Sequence, residues 1–341
     1  MSADVLERFA PSVRAWFETS FVAPTPPQAS GWPAISSGDN TLILSPTGSG
    51  KTLAAFLWGL NRLMTEPVPE REARTRLLYI SPLRALAVDV EKNLRSPLRG
   101  ITLAAERLGE TVHVPTVGMR TGDTPTDERR KLVRNPPDLL ITTPESLFLM
   151  LTSAARETLR NVDAVIIDEI HSVAGTKRGA HMSLSLERLE HLVGRPVQRI
   201  GLSATQRPLE EISRFLGGRS RNEDGSFRWR PVEIVDAGAE PNMDIEVIVP
   251  VEDMADLGQV SEETGSASSG PQRTSIWPSV HPKILEQIQQ HRSTIVFVNS
   301  RRLAERLAGR LNDSGTNKTK RTSGQEPASL LITARSVKLG G

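Results

Sequence analysis

The sequence predicts a doubly wound parallel sheet of the α/β class. Short β-rich apolar runs recur between residues 41 and 203. Several are apolar from end to end, as strands buried on both faces are. Segments with helical spacing separate them, the alternation that builds a parallel sheet with crossover helices. The strand candidates are Thr41–Leu44, Leu77–Ile80, Val112–Val117, Leu139–Thr142, Ala164–Ile167 and Arg199–Leu202. Leu86, Val90 and Leu94 mark one intervening helix, and Leu184, Leu186, Leu189 and Leu192 mark another. Ligands of such sheets bind at the carboxyl ends of the strands.

The pattern changes after Gly217. Residues 218–229 are polar and turn-rich, and two strand candidates follow, Val232–Val235 and Ile245–Val249. Residues 257–275 are rich in Gly, Ser and Glu with little to bury, and read as a flexible insertion. A new α/β unit is expected from the helix Pro282–His291, the strand Thr294–Val298 and the helix Arg301–Leu311, followed by a polar run over 312–325. The expected organisation is a first domain over 1–217, a linker with strands over 218–280, and the start of a second domain over 281–341.

Composition excludes several classes. The chain has 341 residues, enough for about two domains. It has no cysteine, which removes disulfides, thiolate metal sites and cysteine nucleophiles. Charged residues Asp4, Glu7, Arg8, Arg14 and Glu18 interrupt the N-terminus, so it lacks the apolar core of a signal peptide. No run reaches the ~18 apolar residues of a membrane span. A cytoplasmic protein without a membrane partner is the expectation. The formal net charge is only +2, so any nucleic-acid surface would have to be local.

Chemistry concentrates at strand ends. After Thr41–Leu44 comes Ser45-Pro46-Thr47-Gly48-Ser49-Gly50-Lys51-Thr52. Glycines let backbone N–H groups converge on a phosphate, and a following helix N-terminus adds partial positive charge. Lys51 would reach the β- and γ-phosphates of a nucleoside triphosphate, and the Thr52 hydroxyl would ligate Mg²⁺. The general pattern begins with Gly where this chain has Ser45, and a plain Gly-rich turn is the bland alternative. After Ala164–Ile167 come Asp168 and Glu169. Asp168 would hold Mg²⁺ and Glu169 would orient or deprotonate an attacking water.

Ser203-Ala204-Thr205 closes the next strand and would sense the γ-phosphate, although by itself the triplet reads as a helix N-cap. Gln28 can offer adenine a donor and an acceptor together, which would select ATP. A capping role at the start of a helix fits Gln28 equally. His171 and His181 lack the spacing of a metal site.

In order along the chain, these segments resemble the motifs of superfamily 2 helicases. Asp168-Glu169-Ile170-His171 is similar to the Asp-Glu-Ala-Asp/His box. The likeness continues in Ser81–Ala87, Arg120–Asp123 and Ile141–Leu147. Gly175–His181 and Ser293–Arg302 resemble the bacterial large helicase-related (Lhr) family. The resemblance implies a RecA-like fold and an ATP-driven motor tracking single-stranded or partly duplex DNA in the 3′-to-5′ sense. It assigns nucleic-acid contact to Pro82, Arg84, Thr121, Gly122, Thr143, Pro144 and Ser300. Short hydroxyls, glycines and helix starts suit phosphates, which carry no base information. Each of these residues, taken singly, also suits a turn or cap.

The family places transition-state arginines in a Gln-x-x-Gly-Arg-x-x-Arg motif late in a second RecA-like lobe. This sequence contains no such string. The likeness fades near Leu311-Asn312. An incomplete second lobe is therefore expected, as a truncated, frame-disrupted or split product. A nucleotide-dependent binding module and a non-functional remnant stand as alternatives to a motor fragment.

Overall fold

The computed structural model describes residues 4–204, 208–238, 244–248, 277–291 and 294–322. The elements run α1 (Pro11–Ser20), α2 (Pro26–Ser37), β1 (Thr41–Leu44), α3 (Lys51–Thr65), β2 (Leu77–Ile80), α4 (Arg84–Leu108), β3 (Val117–Arg120), α5 (Thr126–Arg134), β4 (Leu139–Thr142) and α6 (Pro144–Leu151). They continue with β5 (Ala164–Ile167), α7 (Lys177–Val193), β6 (Gln198–Ser203), α8 (Leu209–Gly217), β7 (Arg219–Arg221), β8 (Phe227–Trp229), β9 (Glu233–Asp236), α9 (Trp277–Gln290) and α10 (Arg301–Thr322). Two compact units divide the chain, Met1–Pro241 and Asn242–Gly341.

The first unit is built on a seven-stranded sheet of order β3-β4-β2-β5-β6-β1-β9. Every pair in it is parallel. Successive residues of a strand face opposite sides, and both sides are covered. Ile43, Tyr79, Ile141 and Ile166 pack with α1–α4 on one face. Leu44, Ile80, Leu140 and Ile167 pack with α6–α8 on the other. That two-sided burial is why every residue of β1, β2, β4 and β5 is buried and nearly all of them are apolar.

Departures from expectation follow sheet position. The third strand is Val117–Arg120, not Val112–Val117. It is the edge strand and only partly buried, so apolar content is a poor guide to where it lies. Residues before it are fixed by other contacts: His113 N–H donates to Met64 O at 2.9 Å, and Thr116 N–H and Oγ both donate to buried Asp138 at 2.7 Å. Val232–Val235 shifts by one residue to Glu233–Asp236, and this strand, beyond Gly217, adds the outer edge beside β1. Leu184 does not join the core: it is 54% exposed, whereas Leu186 and Leu189 are buried. The turn-rich stretch after Gly217 contains the antiparallel hairpin β7–β8.

In the second unit α9 and α10 meet through Leu285, Leu307 and Leu311. Neither Thr294–Val298 nor residues 244–248 form a strand. Among the described residues neither segment has a neighbouring strand to pair with, and β-propensity alone cannot supply one. Ile295 and Phe297 are accordingly exposed. The last helix runs through much of the polar stretch, to Thr322. Residues 257–275 and Val249 lie outside the described residues.

A charge network ties α7 to the sheet edge. Arg199 on β6 is 1% exposed and reaches Glu187 and Glu190 at 3.1 Å each, together with the Leu216 and Gly217 carbonyls at 3.2 and 3.1 Å. Arg230 binds the same two carboxylates at 2.7–2.8 Å. Burial pushes the Glu187 carboxyl up, but Arg230 and Arg199 outweigh it and hold it below its ordinary value of 4.5. A depressed carboxylate contributes stability above the unfolded value that is lost as pH falls through the folded one. Glu187→Gln is expected to cost about 1–3 kcal/mol near neutrality. Urea unfolding should show that deficit narrow below pH 4.5; an equal deficit at both pH values would contradict the network's role.

Candidate functional site

The carboxyl ends of β5, β6 and β1 are neighbours, because these strands lie side by side in that order. Their register brings three loops together. Leu44 lies opposite Ser203, and Ser45 N–H donates to the Ser203 carbonyl at 3.2 Å. Asp168 N–H donates to the Ile80 carbonyl at 3.0 Å, which anchors the start of the acidic loop on β2.

The loop after β1 turns on Gly48 and Gly50, with φ of +81° and +85°. Ser49 Oγ closes it by donating to the Pro46 carbonyl at 2.7 Å. Helix α3 then begins at Lys51 with no side chain capping it, so its first N–H groups are left for an anion. Thr47 and Gly48 are exposed, and Thr52 is partly buried in the first turn of α3. Lys51 is 5% exposed, and its ammonium donates to the Ser45 carbonyl at 3.3 Å and pairs with Glu169 at 3.6 Å.

Gln28 is buried beside this loop. Its Oε1 accepts from Thr25 N–H at 3.0 Å, as the third residue of a helix does in a capping box, and its Nε2 donates to the Gly50 carbonyl at 3.4 Å. A Cβ on Gly50 would stand 2.8 Å from that nitrogen.

The acidic pair has contrasting surroundings. Asp168 is buried; its Oδ1 accepts from Glu169 N–H at 2.9 Å and its Oδ2 from the Tyr79 hydroxyl. Burial, with the charge of Glu169, raises the Asp168 carboxyl above its ordinary value against the pull of Tyr79 and Lys51. Burial and the Asp168 charge push the Tyr79 hydroxyl up in turn, so it stays a donor. Glu169 has φ of +44°, the one non-glycine in the left-handed region among the described residues. Such backbone strain persists where surroundings over-determine it, and here both carboxylate oxygens are held. Oε1 faces Lys51, and Oε2 lies 3.2 Å from His171 Nε2.

His171 links this pair to the end of β6. Its Nδ1 accepts from Ala204 N–H at 3.3 Å and lies 3.1 Å from Ser203 Oγ. Ser203 Oγ in turn donates to the Ala204 carbonyl at 2.8 Å, so the imidazole stands between the Glu169 carboxylate and the end of β6. A continuous polar chain thus runs Lys51–Glu169–His171–Ser203/Ala204. Thr205 lies outside the described residues.

A second cluster forms at the ends of β2, β4 and β3. Pro82, Arg84, Thr121, Gly122, Thr143 and Pro144 all follow these adjacent strands. Thr143 caps α6 by accepting from Ser146 N–H at 3.4 Å, and Arg84 pairs with Asp123. Arg178 binds Glu145 at 3.0 Å and the Pro82 carbonyl at 2.7 Å, joining α7 to two of these loops. Gly179 follows it because a Cβ there would sit 2.0 Å from the Val173 carbonyl. Ser300 lies in the second unit, where its Oγ accepts from Leu303 N–H at 3.2 Å at the start of α10.

Sequence reasoning missed Tyr79, and it included His171 in the Asp168–His171 box and Arg178 in the Gly175–His181 string without giving either a role. The signal for Tyr79 is its isolation: it is the one tyrosine of the chain and lies inside an apolar run, where a buried hydroxyl needs a partner.

Together, the parallel sheet, the glycine loop on a helix start and the buried lysine facing an acidic pair define a RecA-like domain of the P-loop nucleotide-binding class. The chain belongs to the DEAD/DEAH box helicase family, whose model matches residues 25–212. It is 56% identical over 311 residues to the Lhr helicase/probable uracil glycosylase of Mycolicibacterium smegmatis, covering 91% of this chain and 19% of that protein. It is 51% identical over 310 residues to the Lhr helicase/uracil glycosylase of Escherichia coli, covering 89% of this chain and 20% of the relative. The structure of Mycobacterium smegmatis Lhr bound to ssDNA and AMP-PNP matches with a TM-score of 0.72 at 53% identity, over 93% of this chain and 37% of that one. The chain thus spans about a fifth of the length of these two curated relatives.

The Gly50 geometry has a measurable consequence. Gly50→Ala places a side chain at positive φ and against Gln28, whereas Gly48→Ala meets nothing within 4 Å. Both should destabilise by about 1–2 kcal/mol from the backbone alone, with Gly50→Ala the costlier in urea unfolding. Equal losses would contradict the Gln28 contact.

Proposed function

We propose that this chain is the ATP-binding portion of a DNA helicase of the Lhr kind. The observation that carries the reading is the polar chain from Lys51 through Glu169 and His171 to Ser203 and Ala204, which links the phosphate loop, the acidic pair and the end of β6. The first unit acts as the ATP-binding lobe, and α9 and α10 begin a second. The match to Lhr solved with ssDNA and AMP-PNP supports both ligands.

In this reading, Thr47 to Thr52 wrap the phosphates, and Lys51 leaves Glu169 to pair with the β- and γ-phosphates. Gln28 exchanges its long bond to Gly50 for the adenine edge. Thr52 and Asp168 hold Mg²⁺. The donor set fits: one buried carboxylate and one hydroxyl suit an ion that keeps several waters, and the described residues contain no denser acidic cluster. The ion supplies charge neutralisation on the phosphates. Glu169, released by Lys51 but still held by His171, orients a water and takes its proton. The water oxygen bonds to the γ-phosphorus as the bond to the β–γ bridging oxygen breaks. His171 passes the change at Glu169 to Ser203 and Ala204.

The ends of β2, β3 and β4 form the strand-tracking surface of the first unit, through Pro82, Arg84, Thr121, Gly122, Thr143 and Pro144; in the second unit, Ser300 is a nucleic-acid contact of its own. The contacts are to backbone phosphates, so preference for base sequence is low. Translocation in the whole protein runs 3′ to 5′.

The 341 residues contain no Gln-x-x-Gly-Arg-x-x-Arg string, and arginines of that kind are worth about 10³–10⁵ in rate. The purified chain is therefore expected to hydrolyse ATP slowly, with little stimulation by single-stranded DNA and no unwinding. Glu169→Gln should abolish the residual turnover. Phosphate release assays decide: brisk strand-stimulated turnover would contradict the slow-motor reading, and turnover unchanged in Glu169→Gln would remove Glu169 from the chemistry.

A further inference from the structure

The hairpin β7–β8 joins α8 to β9, at the opposite end of the sheet from β3. Its register pairs Arg219 with Trp229 and Arg221 with Phe227. Residues directly opposite in an antiparallel pair share a face, as do residues two apart on one strand. One face of the hairpin therefore presents two guanidinium groups and two aromatic rings, and Ser220 and Arg228 take the other. Phe227 is 65% exposed and Trp229 46%. The Arg219 guanidinium lies 4.1 Å from the centre of the Trp229 ring.

Arg219, Phe227 and Trp229 also line a concave pocket of about 920 Å³ between the hairpin, α7 and α8. The acids on its wall are already neutralised: Glu187 by Arg199 and Arg230, and Glu211 by Arg214 at 2.8 Å. The hairpin's own acids, Glu223 and Asp224, lie in its turn, where Asp224 binds Ser226. Among the described residues neither Arg219 nor Arg221 pairs with a carboxylate. Exposed rings beside uncompensated guanidinium groups match what a single strand of nucleic acid offers, flat bases and a line of phosphates.

We infer that this face is a second contact for single-stranded nucleic acid, separate from the loops after β2, β3 and β4. Bases stack on Phe227 and Trp229, and phosphates pair with Arg219 and Arg221. Base stacking on an aromatic side chain is indifferent to sequence, so the contact grips any strand. The inference rests on the nucleic-acid reading above and extends it to a different surface. His171 lines the same pocket, so an occupying strand would lie near the residue that holds Glu169.

The test uses the full 341-residue chain, a fluorescein-labelled thymidine oligonucleotide and anisotropy titrations at several salt concentrations. Phe227→Ala/Trp229→Ala should weaken binding by about tenfold or more. Arg219→Ala/Arg221→Ala should flatten the dependence of log affinity on log salt by about 1.4, near 0.7 for each phosphate that is no longer neutralised. Both variants should melt like the parent and bind a fluorescent ATP analogue unchanged, because all four side chains are exposed. A strand carrying 5-iododeoxyuridine should give photo-adducts at Phe227 or Trp229.

Unchanged affinity and salt slope in both variants would overturn the inference and leave the face to a protein partner. Adducts confined to residues 82–146 would overturn it while leaving the first nucleic-acid surface standing. A parent chain that binds no strand would remove both readings.

Discussion

Parallel register at the centre of the sheet is the constraint on which the site depends. Ile167 at the end of β5 lies opposite Gly201, and Leu44 at the end of β1 lies opposite Ser203. Those pairings put Asp168, Ser203 and Ser45 at one rim, so that Lys51 and His171 can both touch Glu169. A one-residue slip in a strand exchanges its two faces. Here it would move Ile43 and Leu44 to the wrong core layers and carry Ser45 away from the Ser203 carbonyl. The apolar residues on both sides of the sheet therefore fix the polar geometry at its end. Packing and chemistry are specified by the same alternation.

Within that frame the charges are arranged by how much solvent reaches them. Asp168 is buried, and burial with the charge of Glu169 raises its carboxyl although the Tyr79 hydroxyl donates to it. Glu169 is more exposed and answered by a lysine and an imidazole. A buried carboxylate with only neutral partners is well placed to gain from a divalent ion, whereas a carboxylate with exchangeable partners can change its contacts. The Tyr79 hydroxyl holds Asp168 in orientation before any ion arrives. Farther from the rim, the network of Arg199, Arg230, Glu187 and Glu190 fastens α7 to β6 and to the chain entering β9, so the residues after the acidic pair are not free to drift.

Local patterns were legible in the sequence, and long-range partners were not. Strands β1, β2, β4 and β5 are almost wholly apolar because helices cover both faces, and their limits could be read directly. Strand β3 could not, because an edge strand is only half covered and its residues, Val-Gly-Met-Arg, carry no pattern. The stretch Thr294–Val298 failed in the opposite sense: its residues favour a strand, but a strand needs a neighbour. At the site, Lys51, Asp168 and Glu169 announced themselves by type and spacing. Tyr79 was hidden inside an apolar run. The place of His171 depends on Ser203 and Ala204, more than thirty residues away in sequence. Gln28 kept both of its readings, and the structure shows its side chain in the capping arrangement while placing it beside the phosphate loop.

Occupation of that loop by a nucleoside triphosphate is the central claim, and calorimetry tests it most directly. AMP-PNP titrated with Mg²⁺ into the 341-residue chain should show saturable one-to-one binding. Lys51→Ala, or removal of Mg²⁺, should weaken it by about tenfold or more, the worth of one charge-assisted contact. Binding of equal strength in the parent and in Lys51→Ala would contradict the account, because the ammonium that faces Glu169 would then have no part in holding phosphate.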